Sequence, residues 1–510
     1  MTSPGSAEHP AGPASRSGHI PDWVPLVIYL LIAAATLGLA AVTASTNMIA
    51  DQPNKDIWQH VAAVRALMEN LSEPRNPFVV SPEPSRHFQP LWVATAVVGN
   101  ALNLTVWQAV TVATFAIMLT LAFAIHFFAR TVFESPWAPS VLLCVMLFAW
   151  SGPYEHTGLH SFWTLLYAAA YPATFMIALS LLLWAMVIRA LGDPRYLPAL
   201  VLLSAVMLAT HQLGAVIGFI GALSFAAAQP GAPVMRRLGA LMAGLIGLVV
   251  ALAWPYFNPA QLMLQGSDSA WVGGPNFYSP PWMPRILLPA AIGLLWLRHR
   301  KARPLALALG LYLGLYLLGL FGVQIAARFL MPVVLVLHVA LAGLLLEAMT
   351  WVRLRRPVLR QSAPWLAATG VMTLAAIETI QFQARFELHY AAAPDVYIAA
   401  ERLTSDIPDD EQVAAFGLTA WPVVAAGQRV LSVPWPEPGI TDLAERQEMT
   451  DALFDTALSP AARRAMAEGL GIRVLMTDRR YVPPDLLEAL AEMAISASQD
   501  STLHRFDLWE

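Results

Sequence analysis

Long apolar runs separated by short polar stretches fill the chain from residue 23 to residue 381, and beyond residue 385 they give way to short segments of strand and helix periodicity. A helix needs roughly 20 mostly apolar residues to cross the hydrocarbon core of a bilayer. On that measure hydropathy predicts spans at residues 23–44, 107–129, 138–150, 171–191, 197–210, 213–228, 238–254, 286–297, 304–320, 329–349 and 364–381, about eleven crossings. Several are short, and the two on either side of His211 also read as one broken element. In the last quarter, residues 413–417, 429–433 and 473–477 read as buried strands and residues 502–508 as an edge strand. Residues 443–458, 460–470 and 484–493 carry helical spacing. Alternation of this kind predicts a small α/β sandwich.

Basic residues orient the spans independently of hydropathy. Arg130, Arg189 with Arg195, Arg236 with Arg237, the run at 298–303, and Arg353, Arg355, Arg356 and Arg360 fall at every second loop. The positive-inside rule makes those loops cytoplasmic. The N-terminus is then inside, while loops 51–103, 151–170, 256–285 and 322–328 face outward with the C-terminal domain. This parity holds only if residues 87–103 do not cross. Pro90, Gly99 and Asn100 interrupt that piece, so it reads as a second helix lying on the membrane surface beside a first one opened by Asp56. Three parts result: a disordered cytoplasmic tail (1–21), a transmembrane domain (22–383) whose first outward loop is 45–106, and an extracytoplasmic α/β domain (384–510).

Composition sharpens the picture. The chain has 510 residues, 57% hydrophobic and 13% charged, with a mean hydropathy of +0.56. Ordinary globular domains carry about twice that charged fraction, so this is an integral membrane protein, its first span an uncleaved anchor. A net charge of −4 offers no basic surface for nucleic acid. The single cysteine, Cys144, excludes an internal disulfide and a multi-cysteine metal site. Well over half of the 34 acidic residues follow residue 385, yet that domain has no Gly-rich phosphate loop and no nucleophile motif.

Charges beside a bilayer core are costly and therefore candidates for function. Asp56 leads: it is either a helix N-cap or a general base near an acceptor hydroxyl, and the two roles are compatible. His60, one turn on, shares its face; it orients Asp56, contacts a sugar or phosphate, or is simply interfacial. Arg328, in Gly322-Val-Gln-Ile-Ala-Ala-Arg328-Phe-Leu-Met-Pro332, breaks the positive-inside pattern; it either clamps a phosphate or snorkels toward headgroups. The outward loop at 151–160 adds Glu155, His156 and His160, and His211 sits at the outer end of a span pair. These are spread over separate loops without the tight spacing of a zinc motif, so no metal is assigned. Asp268 lies in an aromatic loop with Trp271, Phe277, Tyr278 and Trp282, residues that either stack on sugar rings or anchor the interface.

Together these features resemble the GT-C superfamily of membrane glycosyltransferases. The resemblance rests on one span followed by an outward acidic loop, the Asp56-x-x-x-His60 helix start, Gln89-Pro90-Leu91-Trp92, and the late outward Arg328-Phe-Leu-x-Pro332. The stretch from Thr419 to Val430, Arg446, and Gly471-Ile-Arg-Val-Leu475 are similar to the exported α/β domain of some members. No Asp-x-Asp stands in the first loop, which sets the oligosaccharyltransferase branch aside. The resemblance implies a polytopic enzyme of a bacterial inner (plasma) membrane with its site on the extracytoplasmic side. It implies a polyprenyl-phosphate sugar as donor, an extracytoplasmic glycan, lipid or protein as acceptor, Asp56 as base in an inverting transfer, and Arg328 on the phosphate; a divalent cation has no support. Rival classes are a transporter or flippase of lipid-linked or envelope glycans, which favours internal repeats and charges near the bilayer midplane, and a non-enzymatic scaffold.

Overall fold

The computed structural model describes residues 21, 23–47, 56–149, 161–265, 291–355, 363–385, 395–435, 437 and 439–509. Among them, seven helices are long and apolar enough to cross a membrane: Trp23–Ser45, Val106–Val132, Pro172–Gly192, Val234–Ala251, Arg300–Phe321, Ile325–Trp351 and Pro364–Ala384. Each overlaps a predicted span. Three others, Ala138–Phe148, Pro194–Thr210 and Gln212–Ala228, are shorter apolar helices. Of the span expected at 286–297, residues 286–290 lie outside the described residues, and the described remainder holds a 3-10 turn at Ile292–Leu295 and no long helix.

Lipid tails are as apolar as leucine, so helices in a bilayer associate through close packing and small residues rather than through the hydrophobic effect. Val234–Ala251 follows this rule: its buried residues are Ala240, Ala243, Gly247 and Ala251. A Cβ on Gly247 would lie 2.4 Å from the Val201 carbonyl oxygen of the neighbouring helix. Gly221 likewise leaves room for the buried Trp184 ring, whose Nε1 donates to the Gly218 carbonyl at 2.9 Å.

Two shorter helices, Ile57–Glu69 and Pro90–Ala101, form the expected juxtamembrane pair. Pro90 at the first position needs no backbone donor there, and Asn100 Nδ2 ties the two together by donating to the Met68 carbonyl at 2.9 Å. The first helix does not lie bare on the membrane surface, as its polar face suggested. Ile57 through Val64 are all buried, because Pro90–Ala101 and Val106–Val132 pack against the helix and the C-terminal domain roofs it. Arg65 crosses that contact, donating from Nε to the Ala425 carbonyl (3.1 Å), pairing with Glu401 (2.9 Å) and meeting the Tyr397 hydroxyl.

The C-terminal domain opens with helix Asp395–Thr404 and builds a five-stranded sheet. Its strands are β1 (Gln412–Ala415), β2 (Arg429–Val430), β3 (Val474–Asp478), β4 (Ser496–Asp500) and β5 (Leu503–Asp507), in the order β2-β1-β3-β5-β4. β1 runs parallel to β2 and β3, and β5 antiparallel to β3 and β4. Helices Leu443–Leu453, Pro460–Leu470 and Pro484–Met493 connect them. Side chains alternate across a strand with period two, and here the alternation divides two cores. Val413, Ala415, Val474 and Met476 join the core shared with the membrane helices, while Ala414, Leu475 and Phe506 pack on the helices of the outer face. One expectation is corrected: β5 is not an edge strand. Beyond it lies β4, an almost wholly exposed Ser-Ala-Ser-Gln-Asp run without the apolar alternation that marks a half-buried strand. At the opposite edge, Val79 of the first loop bridges Val430 of β2, and the Val430 amide donates to the Phe78 carbonyl at 2.8 Å.

Candidate active site

The first juxtamembrane helix divides its chemistry between two sides. Positions four apart share a face of an α-helix, so Asp56 and His60 look one way while Arg65, Ala66 and Glu69 look the other. The second side lines a cavity of about 250 Å³ with Arg75, Glu401, Asp409 and Arg429. That cavity turns away from Asp56.

Asp56 uses its backbone to start the helix, its carbonyl accepting from the Gln59 amide (3.1 Å) and the His60 amide (3.3 Å). Its exposed side chain makes no capping hydrogen bond. The N-cap reading of the carboxylate is thereby corrected: the helix start leaves it to other partners. Its charge acts on Arg328, at the head of Ile325–Trp351, and on the buried Tyr171, at the head of Pro172–Gly192. Residues far apart in sequence thus share one electrostatic neighbourhood.

His60 is buried among the rings of Trp92 (5.0 Å), His87 (5.5 Å) and Tyr171 (5.8 Å). Burial, reinforced by His87, Arg86 and His211, holds its pKa well below the usual histidine value, so the imidazole is neutral at neutral pH. Its Nδ1 is buried without a hydrogen-bond partner among the described residues. A buried polar atom in that state is costly unless a ligand or water completes it. His211 closes one helix and opens the next, its Nδ1 accepting from the Gly214 amide at 3.0 Å. The sequence allowed one broken element here, and the chain does break at this residue. Arg86 and Arg328 both act on His211, so two guanidinium groups far apart in sequence bear on one imidazole. Gln89 closes this side; with its amide oriented by the surrounding hydrogen bonds, its oxygen accepts from Trp92 Nε1 (2.7 Å) and its nitrogen faces the Thr210 carbonyl.

Arg86 and His87 meet a carboxylate from the other domain. Glu437 is buried, with Oε2 3.2 Å from Arg86 Nε and 3.4 Å from His87 Nε2. Burial alone would raise its pKa, but Arg86 and His87 together hold it below the usual glutamate value.

Of the predicted site residues, Asp56, His60, His211 and Arg328 therefore share one electrostatic neighbourhood, the candidate site; Glu155, His156, His160 and Asp268 lie outside the described residues. Sequence reasoning passed over Arg86, His87, Tyr171 and Glu437. Arg86 carries no expectation of its own and His87 enters only as the first residue of the 87–103 surface piece, although an Arg-His pair just before Gln-Pro-Leu-Trp92 is a usable signal. Nothing local marks Glu437 among the other acidic residues of its domain. Among the described residues, no three His, Cys, Asp or Glu side chains are arranged to hold a metal ion.

A multi-pass helical domain, paired juxtamembrane helices in its first loop and a C-terminal α/β domain roofing them make up the fold. Solved structures share it. ArnT from Cupriavidus metallidurans, in the apo state, is 14% identical with a TM-score of 0.57, over 95% of this chain and 98% of its own. The same protein bound to undecaprenyl phosphate gives 14% and 0.54 over the same shares. The apo Archaeoglobus fulgidus oligosaccharyltransferase is 13% identical with a TM-score of 0.53, over 90% of this chain and 70% of its own. No protein-family profile matches the chain, and no curated protein does.

Proposed function

We propose that this protein is a membrane glycosyltransferase that moves a sugar from a polyprenyl-phosphate donor to a glycan, lipid or protein acceptor. The alternating arginine loops support a site on the extracytoplasmic face of a bacterial inner membrane. The acceptor hydroxyl attacks the anomeric carbon on the side opposite the phosphate, and Asp56 takes its proton as the new C–O bond forms. The bond to the phosphate oxygen breaks, the configuration inverts, and polyprenyl phosphate leaves with the electron pair. Arg328 and Arg86 neutralise the charge that develops on the leaving group, as guanidinium groups do for phosphates. Neutral His60, with a bare ring nitrogen, hydrogen-bonds the sugar or phosphate.

The observation that carries this reading is that the charge of Asp56 is felt at Arg328, in a fold shared with a protein that binds undecaprenyl phosphate. The test is transfer of a radiolabelled sugar from polyprenyl phosphate by the purified protein in lipid. Wild type should transfer, Asp56→Ala should bind donor but not transfer, and full turnover by that variant would remove Asp56 from the chemistry.

A further inference from the structure

The C-terminal domain reaches the candidate site through Glu437, which pairs with Arg86 and His87. Resting on the glycosyl-transfer reading, we propose that Glu437 is a positioning residue that holds Arg86 for the donor phosphate, so that the phosphate site is completed by the C-terminal domain and not by the membrane helices alone.

Three observations carry this. First, a carboxylate as buried as Glu437 is stable only when cations and donors surround it, and all of its hydrogen-bond and ion-pair partners among the described residues come from three consecutive residues of the first loop: Ser85 Oγ at 3.5 Å, Arg86 Nε at 3.2 Å and His87 Nε2 at 3.4 Å. Second, Glu437 takes Arg86 by Nε. Among the described residues, the terminal nitrogens of Arg86 have no hydrogen-bond partner, and its side chain is 37% exposed. A guanidinium fixed at one edge and open at the other can receive two phosphate oxygens without first losing its own conformational freedom. Its charge already acts on both His60 and His211.

Third, the loop segment that carries Arg86 is gripped by the same domain on its N-terminal side. The Val79 to Val430 bridge extends the sheet, Arg446 donates to the Val80 carbonyl (3.2 Å), and Glu83 accepts from the Thr441 amide (3.2 Å) and hydroxyl (3.0 Å). The loop cannot move away from the domain without breaking all of these together.

The test measures binding of undecaprenyl phosphate to the purified full-length protein in nanodiscs, with and without Glu437→Gln and Arg86→Ala. Glu437→Gln is expected to weaken binding roughly tenfold, with little further loss when added to Arg86→Ala, because both act on one guanidinium. Glu437→Asp, which keeps the charge but shortens the reach, should lose only a few-fold. Glu437→Gln binding as tightly as wild type, or a loss that adds in full to that of Arg86→Ala, would overturn the inference. If Glu437→Gln does not fold, Glu437→Asp decides, and unchanged affinity there overturns it equally. A wild-type protein that does not bind undecaprenyl phosphate sinks the glycosyl-transfer reading and this inference with it, whereas binding shared equally by wild type and variants sinks the inference alone.

Discussion

Replacing Asp56 by asparagine separates the two roles that aspartate at a helix start can play. The change keeps shape and removes one charge. If the carboxylate held the helix start, its loss would cost about 1 kcal/mol of stability. The side chain makes no capping hydrogen bond and is exposed, so the expected loss is within about 0.5 kcal/mol, as for ordinary surface changes. If it is the base, transfer falls by roughly 10²–10⁴, or about 2.7–5.4 kcal/mol of barrier at 1.36 kcal/mol per decade. Donor affinity should move the other way or not at all, because Asp56 at present opposes part of the positive charge of Arg328. The assay pairs single-turnover transfer of a labelled sugar with undecaprenyl phosphate binding and thermal unfolding on one preparation. Turnover within a few-fold of wild type refutes the base assignment. Loss of transfer, affinity and stability together refutes it too, since that pattern belongs to a structural residue.

Arg328→Ala removes a charge-assisted phosphate contact worth roughly 1.5–3 kcal/mol, so donor affinity should fall about 10- to 100-fold in the same binding assay; unchanged affinity excludes the phosphate role. His60 has a folded pKa held below its unfolded value, chiefly by burial, so below pH about 6.5 the unfolded state binds the extra proton and stability falls with acidity. Glu437 is also lowered, and its stabilisation is lost only at lower pH, below about 4.5. Thermal unfolding of wild type should therefore weaken between pH 7 and 5, and His60→Gln should flatten that slope; parallel curves would show that His60 does not titrate differently on folding. Gly247→Ala places a Cβ 2.4 Å from the Val201 carbonyl and 2.6 Å from Ser204 Cβ. Backbone cannot rotate aside as a side chain can, so the helix pair must separate at a cost of about 1–3 kcal/mol, read as a lower unfolding temperature in detergent; an unchanged midpoint would show that the pair is not tightly packed there.

The long spans were legible because hydropathy over twenty residues is an additive signal that no single substitution erases. The candidate site was legible in part, for a related reason. Asp56 and Arg328 are charges out of pattern, one on a polar helix start beside the first span and the other in an otherwise neutral loop, and cost makes such charges conspicuous. Glu437 is an ordinary glutamate among many in a soluble domain; only tertiary packing distinguishes it, by burying it against Arg86 and His87. β4 failed for the converse reason, since its exposed Ser-Ala-Ser-Gln-Asp sequence is held in the sheet by backbone pairing to β5 and carries no side-chain periodicity. The first juxtamembrane helix reads as a surface helix because its polar positions suit a membrane interface. Its actual neighbour is the C-terminal domain, which satisfies Arg65 with Ala425, Tyr397 and Glu401.

That shared burial bears on how such a site could work at a membrane boundary. A base and two cations facing open water would be screened, and the developing charge of the transition state would gain little from them. Roofed by a protein domain, the buried His60 and Glu437 lie in a medium of lower dielectric, where fixed groups need no reorganisation as the bond breaks, while the Asp56 carboxylate stays exposed. The roof is continuous with the membrane core, since one face of the sheet packs into the same apolar cluster as the transmembrane helices. Loosening the C-terminal domain, for example by Val430→Pro, which removes the amide that donates to Phe78, should therefore lower donor affinity without touching any charged residue. Detachment of the roof with donor affinity intact would mean that the membrane helices hold the phosphate by themselves.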